Sequence, residues 1–333
     1  MHTLSRSRLA RVGPVALALA AALLLSGCQA DVGDPDPTPP PAEPSSTSPS
    51  ESPAALRSEP QPLLADGCDG LFSDAEVSRT TGGAEPRETG QFWQVAIETI
   101  GGLSCPFHSD SMAGEIVLLP ANRASGTDQA IGAPGCGIDY DEAVCVASQT
   151  SGKVWVLVAM LVAGDEVPED VPAPQTAVLQ AVAATVRDVV PAGVDAEEVV
   201  LDCESLAERL GVTDVLENDV IYPTRIEEGS GPLERRIADH TGASVRCDWS
   251  ELDSFRELGV LVIPGGAWAR DARAAAMPGS RDAAVAGVPA TLWESPSGET
   301  GVLIADDGDL VWVWDRGVRE SDLLSVAGVF LGA

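Results

Sequence analysis

Few side chains in this sequence are of the types that carry acid–base or nucleophilic catalysis. Its 333 residues include three histidines and a single lysine, Lys153. His108 lies three residues after Cys105 and could act as a general base with Asp110. We interpret His108 as a turn residue beside a disulfide, because the second half of the chain has no histidine at the equivalent position. His240 lies in a polar stretch, and we interpret it as a surface residue.

Closely spaced acidic residues are the next candidates, because carboxylate oxygens bind calcium. They are Asp139 with Asp141, and Asp306 with Asp307 and Asp309. Both groups lack the closing glutamate of a calcium-binding loop and lie where hairpin turns are expected. The sequence therefore predicts turn residues rather than a metal site.

Known catalytic and cofactor-binding motifs are absent from the sequence. It has no Gly-x-Ser-x-Gly elbow, no His-Glu-x-x-His, no P-loop and no Gly-x-Gly-x-x-Gly. The formal net charge of −31 repels phosphate backbones and anionic headgroups. We therefore expect neither an enzyme nor a cofactor, no nucleic-acid partner, and no attachment to membranes through basic patches.

Tryptophans near the C-terminus are the strongest candidates for a binding surface. In a strand, Leu310, Trp312 and Trp314 share one face, while Val311 and Val313 share the other. Because both faces are apolar, we expect the strand to be covered on both sides and its tryptophans to be core residues. The alternative is an aromatic-lined groove for a lipid, a glycan or a partner peptide. The candidate aromatic residues for such a groove are Trp312, Trp314, Trp93 and Trp268.

The first 27 residues are typical of a secretory signal peptide. Three arginines precede the apolar run Val15–Leu25, which is too short to span a membrane. The residues Leu25-Ser26-Gly27-Cys28 resemble the lipobox of bacterial lipoproteins. This resemblance implies cleavage before Cys28 and a diacylglyceryl group on its sulfur, which would anchor the chain at the extracytoplasmic side of the cell membrane. The alternative is an ordinary signal peptide cleaved nearby, with Cys28 as a free thiol.

Residues 28–65 are predicted to form a disordered tether rich in proline and serine. Ten of the chain's 25 prolines lie between Gln29 and Pro62. No periodic apolar positions occur there to offset the entropy of ordering the chain. A proline-rich segment of this length reaches up to ~100 Å when extended, so we interpret it as a spacer between the membrane and a folded part.

An internal repeat follows the tether. Cys68-Asp-Gly-Leu71 has its counterpart in Cys203-Glu-Ser-Leu206, and Cys105-Pro-Phe107 has its counterpart in Cys247-Asp-Trp249. An apolar run that ends in proline follows each second cysteine, at Pro120 and at Pro264. Because the order of the motifs is kept, we predict two copies of one domain, at residues 66–191 and 199–333.

The repeat also reduces the number of plausible disulfide pairings among the six cysteines that follow Cys28. Six thiols in an oxidising compartment allow many disulfide connectivities. If equivalent cysteines pair, the bonds are Cys68–Cys105 and Cys203–Cys247, with Cys136–Cys145 as a short bridge in the first copy alone. The alternative is a metal site, which we disfavour because no Cys-x-x-Cys spacing occurs.

Each copy is predicted to have the element order α-β-β-β-α-β-β-α. Phe92–Ile100 is among the predicted strands, and Val178, Leu179 and Val182 share one face of a helix near the end of the first copy. The order indicates an α+β fold of two tandem similar domains, each an antiparallel sheet packed with helices.

The combined pattern resembles a known family. A lipobox, a Pro/Ser-rich tether, Cys-x-x-Leu and a later Cys-x-aromatic are similar to the uncharacterised secreted lipoprotein domains of actinobacteria. Some of those domains resemble the PsbP-like α/β sandwich. The resemblance assigns a catalytic role to no residue of this chain.

Together these features predict a non-catalytic, membrane-anchored lipoprotein that binds an envelope protein or a small apolar ligand. The alternative is a cell-wall hydrolase or esterase that uses paired carboxylates, which need no sequence motif. A third alternative is a passive spacer, for which we expect no pocket on either copy.

Overall fold

The computed structural model describes residues 58–87, 91–131, 134–139, 142–162, 167–193, 202–217, 221–223, 233–251 and 256–332. The predicted leader, Cys28 and the tether up to residue 57 lie outside these ranges. Leu63, which falls in the predicted tether, is buried in the core of the first half, so the folded part begins before residue 66. Within the described ranges, no helix combines the length and the apolar character needed to cross a membrane.

The first half forms one antiparallel sheet with the strand order β1-β2-β3-β6-β5-β4. Its described elements are α1 Gly67–Phe72, α2 Ala75–Thr80, β1 Glu85–Pro86, α3 Phe92–Thr99, β2 Leu103–His108, β3 Ala113–Pro120, α4 Thr127–Ile131, β4 Gly135–Asp139, β5 Glu142–Ser151, β6 Val154–Leu161 and α5 Ala173–Thr185.

The second half forms another antiparallel sheet, with the order β7-β8-β9-β13-β12-β11-β10. Its described elements are α6 Cys203–Leu210, α7 Val212–Leu216, β7 Ile221–Pro223, α8 Leu233–His240, β8 Val245–Glu251, β9 Glu257–Ile263, a 3-10 helix Gly266–Ala269, α9 Arg270–Ala276, β10 Arg281–Val285, β11 Val288–Glu294, β12 Glu299–Asp306, β13 Asp309–Arg316 and α10 Glu320–Phe330.

The two sheets share one topology. Strands β7, β8, β9, β13, β12 and β11 follow one another as β1, β2, β3, β6, β5 and β4 do, and β10 adds an edge strand. The predicted α+β class, with two similar halves that each pack helices on an antiparallel sheet, is confirmed.

The disulfides join equivalent elements of the two halves. Cys68–Cys105 links α1 to β2, and Cys203–Cys247 links α6 to β8, each with 5.5 Å between the Cα atoms. Cys136–Cys145 joins two paired positions of β4 and β5. These are the pairs that the repeat indicates. In the chain-entropy account, each of the two longer closures stabilises the fold by about 4 kcal/mol.

The described residues form three apolar cores. Each half has an outer core between its sheet and its own helices, which are α1, α2 and α5 in the first half and α6, α7 and α10 in the second. A third cluster, which we call the middle core, contains residues of both halves. Side chains of one strand point alternately to its two faces, so a strand contributes to two cores. In β3, Ile116 and Leu118 face an outer core, while Val117 and Leu119 face the middle core.

Helix α3 replaces the strand that the sequence predicts at Phe92–Ile100. Its aromatic and β-branched residues favour a strand. In the structure, however, the consecutive residues Val95, Ala96 and Ile97 are all buried in the middle core, where α3 packs on α8. Contacts with the second half therefore override the local strand preference.

We predict that the middle core makes both halves unfold together. Ile237→Ala removes a side chain that is 0 % exposed in this core and should lower the free energy of unfolding by about 2–5 kcal/mol. Urea unfolding followed by circular dichroism should show one transition at a lower midpoint. Val190→Ala, at a side chain that is 70 % exposed, is the control and should leave the midpoint unchanged. Two separate transitions, with only one shifted by Ile237→Ala, would contradict a shared core.

Candidate functional site

A cavity of about 440 Å³ lies between the two halves, and we call it the groove. The start of α3 contributes its first-half wall, and strands of the second sheet with the end of α9 contribute the rest. The lining residues are Gln91, Phe92, Trp93, Arg246, Leu261, Ala276, Met277, Pro278, Trp293, Glu299, Trp312 and Trp314.

Three of the four predicted aromatic residues line the groove. Trp312 and Trp314 lie on the face of β13 that meets the middle core, and Trp93 comes from α3. Trp268 packs against the middle core but is not part of the described lining. Strand β13 is therefore covered on both faces, as its apolar residues predict. On the face that meets the middle core, the covering residues leave a cavity.

Glycines on the neighbouring strands make room for the two tryptophans of β13. Trp314 pairs with Gly259 on β9 and with Gly301 on β12. A Cβ atom built on Gly259 would lie 2.1 Å from Cζ2 of Trp314, and one on Gly301 would lie 2.1 Å from Cη2 of Trp312. The indole rings therefore lie directly over glycine backbone, a close approach that only glycine permits.

The aromatic rings pack on one another across the halves. Phe92 stacks on Trp312 with ring centroids 5.1 Å apart and an interplanar angle of 28°. Trp293 tilts against the same ring at 5.9 Å and 55°. Trp312 is consequently only 7 % exposed, and these contacts fix the position of α3 against the second sheet.

Two arginines cover the faces of the remaining groove tryptophans. Cζ of Arg246 lies 4.5 Å from the ring centroid of Trp314, and its Nε donates to both carboxylate oxygens of Asp248 at 2.9 and 2.7 Å. Cζ of Arg235 lies 5.8 Å from the centroid of Trp93, and its Nε lies 3.4 Å from Oδ2 of Asp239. Burial raises the pKa of both Asp248 and Asp239. Each cation is thus matched by a carboxylate beside it.

The other polar lining residues are Gln91, which is exposed, and Glu299, which is half-buried. Glu299 accepts a hydrogen bond from Nη2 of Arg316, and the backbone carbonyl of Gln91 accepts one from Nη1 of Arg273 at 3.3 Å. Among the described lining residues, none carries a hydroxyl, thiol or imidazole. The described lining is therefore mainly apolar, with Gln91, Arg246 and Glu299 as its polar residues.

A pair of carboxyl groups lies outside the described lining. Oε1 of Glu115 accepts a hydrogen bond from Oγ of Ser104 at 2.6 Å, and the carboxyl of Glu234 from the other half acts electrostatically on the Glu115 carboxyl. Burial, followed by the neighbouring Glu234 charge, holds the pKa of Glu115 well above its ordinary value.

Of the remaining predicted candidates, Asp306, Asp307 and Asp309 lie near one another, and burial followed by the charges of Asp307 and Asp309 raises the pKa of Asp306. His108 and Asp110 are both exposed, and Nε2 of His240 lies 3.2 Å from the carbonyl oxygen of Ser125. Asp309 accepts a hydrogen bond from the backbone N–H of Gly265 at 2.8 Å, consistent with turn chemistry. Asp141 lies outside the described residues, and those that are described contain no group of three potential metal ligands.

The sequence did not indicate Phe92, Trp293 and Met277 as groove residues, and Glu115 was assigned only to the start of an apolar run that ends at Pro120. A signal for the groove was present, because Gly259 interrupts an otherwise apolar strand and a glycine inside a strand often marks a close approach. A charged residue at the start of the apolar run 116–119 was the corresponding signal for Glu115.

Comparison of the chain with protein-family models, with curated proteins and with solved structures finds no match.

We predict that Gly259→Ala disturbs the groove. The added methyl group meets the Trp314 ring, so the ring or the strand must shift, which should lower the free energy of unfolding by about 1–3 kcal/mol. Gly137→Ala is the matched control, since a Cβ atom at Gly137 meets no atom within 4 Å. Urea unfolding of both variants checks this, and equal stability of the two would contradict the close approach.

Proposed function

We propose that the protein is a lipoprotein, anchored on the extracytoplasmic side of the cell membrane through a lipid on Cys28, that binds a small apolar ligand without catalysis. The groove between the two halves is the observation that carries this proposal. Its volume of about 440 Å³ is in the range of small-molecule sites, and its walls are mainly aromatic and aliphatic.

The covered ring faces favour an apolar ligand over a glycan. Sugars bind by stacking on open aromatic faces and by hydrogen bonds to several hydroxyl groups. Here Phe92 covers Trp312, Arg246 covers Trp314 and Arg235 covers Trp93. The ring edges and aliphatic groups that line the groove suit an acyl chain or an aryl group.

The proposed anchor is supported by the sequence. The lipobox-like residues Leu25-Ser26-Gly27-Cys28 precede the proline-rich segment, so a lipid there would hold the folded part near the membrane. An apolar ligand released by a bilayer is poorly soluble in water. A binding protein tethered beside that bilayer is a suitable acceptor for it.

The carboxylate hydrolase or esterase is the second candidate. One observation favours it, because Glu115 and Glu234 lie together and the pKa of Glu115 is raised by burial. Against it, Glu115 is only 7 % exposed and is not among the described lining of the groove. We therefore prefer ligand binding.

We expect the groove to bind N-phenyl-1-naphthylamine, a neutral apolar fluorophore. The assay uses the full chain with Cys28→Ala, which has no sulfur to carry a lipid and therefore needs no detergent. Met277→Asp places a carboxylate in the half-buried lining, and desolvating it should weaken binding about tenfold, or ~1.4 kcal/mol. Met112→Asp is the matched control, since Met112 is half-buried in the first half outside the described lining.

Fluorescence titration measures both effects. Saturable binding that Met277→Asp weakens and Met112→Asp leaves intact supports the groove. The absence of saturable binding, or equal loss in both variants, would reject it.

We expect Cys28→Ala to move the protein from the membrane fraction to the soluble fraction, because no sulfur remains to carry a lipid. Immunoblotting of fractionated cells measures this distribution. Ser26→Ala, which keeps a small residue in the lipobox-like sequence, is the control and should stay with the membranes. Unchanged fractionation of Cys28→Ala would exclude the anchor.

A further inference from the structure

Arg246 is the only cationic side chain in the described lining of the groove. It lies on β8, where it pairs with Leu261 of β9, and Leu261 pairs in turn with Trp312 of β13. These three positions form one row across the inner face of the second sheet. Arg246 therefore lies at the β8 side of an apolar floor.

The protein holds the Arg246 guanidinium through an aromatic ring and through one of its three nitrogens. Its Cζ lies 4.5 Å from the ring centroid of Trp314, so the cation covers that ring. Its Nε donates to both carboxylate oxygens of Asp248, which lies two residues further along the same face of β8. Both contacts lie within the second half, and together they position the side chain beside the groove.

The two terminal nitrogens of Arg246 remain for a ligand. Among the described residues, none accepts a hydrogen bond from its Nη1 or Nη2. The side chain is 22 % exposed, so it is not sealed from a molecule that enters the groove. A guanidinium presents its N–H donors as a planar fork that fits the two oxygens of a carboxylate. The groove thus combines mainly apolar walls with donors that suit an anion.

The other charged residue of the described lining, Glu299, belongs to the opposite side of the floor. It lies on β12, and strands β9 and β13 separate β12 from β8. Neighbouring strands are about 4.8 Å apart, so the backbones at Arg246 and Glu299 are on the order of 14 Å apart. Glu299 also accepts a hydrogen bond from Arg316. An anionic group held by Arg246 therefore does not meet the Glu299 carboxylate.

The charged groups around Arg246 balance one another. Arg246 acts electrostatically on Arg235, Asp239 and Asp248. Nε of Arg235 lies 3.4 Å from Oδ2 of Asp239, and Arg246 has Asp248 beside it. Each cation thus has its own carboxylate, and this group carries no excess negative charge to repel an anion at close range. Charges elsewhere on the acidic surface are screened over about 8 Å at physiological ionic strength.

The repeat associates the Arg246–Asp248 pair with the groove. In the register set by the equivalent cysteines of β2 and β8, Arg246 and Asp248 correspond to Ser104 and Pro106 of the first half. Pro106 cannot form an ion pair, and the Ser104 hydroxyl donates to the buried carboxyl of Glu115. The charged pair therefore occurs in the half whose sheet forms the groove floor and is replaced at the equivalent positions of the other half.

We propose that Arg246 is the specificity-determining residue of the groove and that the ligand is an apolar molecule with one carboxylate. This inference rests on the proposed function. The carboxylate accepts hydrogen bonds from Nη1 and Nη2 of Arg246, and the apolar body lies along the floor towards Trp312. Without this cation the groove would favour a neutral molecule, because burial of an unpaired charge is unfavourable. Acyl and aryl carboxylates share this chemistry.

Displacement of N-phenyl-1-naphthylamine from the full chain with Cys28→Ala, which we call the parent chain, tests this specificity. The competitors are two matched pairs at neutral pH, dodecanoate with dodecanol and 2-naphthoate with 2-naphthol. In the pair that binds more tightly, the carboxylate should bind the parent chain at least as well as its neutral partner, although water solvates the carboxylate better. A preference within the dodecanoate pair supports an acyl ligand, and one within the naphthoate pair supports an aryl ligand.

Replacing both members of the ion pair isolates the contribution of the arginine donors. The double variant Arg246→Gln with Asp248→Asn removes a cation and its carboxylate together, so the local formal charge does not change. It should bind the preferred carboxylate about tenfold more weakly and its neutral partner within about twofold of the parent chain.

Arg281→Gln is the matched control for the loss of an arginine in the same half. Arg281 is an exposed residue of β10 that pairs with Glu320 and is not among the described lining residues. This variant should bind all four competitors as the parent chain does.

Three results would overturn Arg246 as the specificity-determining residue and leave the groove as an apolar site. They are tighter binding of the neutral partner by the parent chain, equal weakening of both partners by the double variant, and the same loss of carboxylate affinity in Arg281→Gln. Failure of N-phenyl-1-naphthylamine to bind the parent chain at all would instead reject the proposed function.

Discussion

Each sheet in this protein is apolar on both faces, and the outer helices (α1, α2 and α5 in the first half, α6, α7 and α10 in the second) cover one face alone. In β3 and β13, alternate residues point to opposite sides, so each strand supplies an outer core and the middle core at once. Leaving the inner faces in water would expose large apolar surfaces, which is unfavourable. Burial of each inner face against the other half is therefore the constraint on which the remaining structure depends.

This constraint explains why two copies of one topology produce a single groove. The inner faces meet through α3 and α8, and their side chains differ at equivalent positions. In the second half, Gly259 and Gly301 let indole rings lie on the sheet, and the space beside the rings is not filled by α3. In the first half, Glu115 takes the position of Gly259, and its buried carboxyl accepts a hydrogen bond from Ser104. Divergence of the repeat thus provides both the cavity and the polar contact.

The arginines on the inner faces are each paired with a neighbouring carboxylate, although the protein carries a formal net charge of −31. Arg235 and Arg246 each place a guanidinium on an indole ring and a carboxylate beside it. Such pairs satisfy the cations where little water is present. Glu115 has no such cation among the groups that act on it, and burial raises the pKa of its carboxyl. The acidic excess therefore belongs to the surface and determines little of the interior.

Features that depend on local pattern and on cysteine chemistry could be predicted from the residues alone. These are the α+β class, the repeat with its cysteine pairs, and the two apolar faces of β13 that place Trp312 and Trp314 inside. Three other features depend on packing in three dimensions: Phe92–Thr99 is a helix, Phe92 and Trp293 complete the groove, and Glu115 is buried with a hydrogen bond from Ser104. Each of those outcomes depends on which distant segments face each other across the middle core. Spacing along the chain determines which face of a strand or helix a side chain occupies, but the residue it meets there is set by the packing of the two halves.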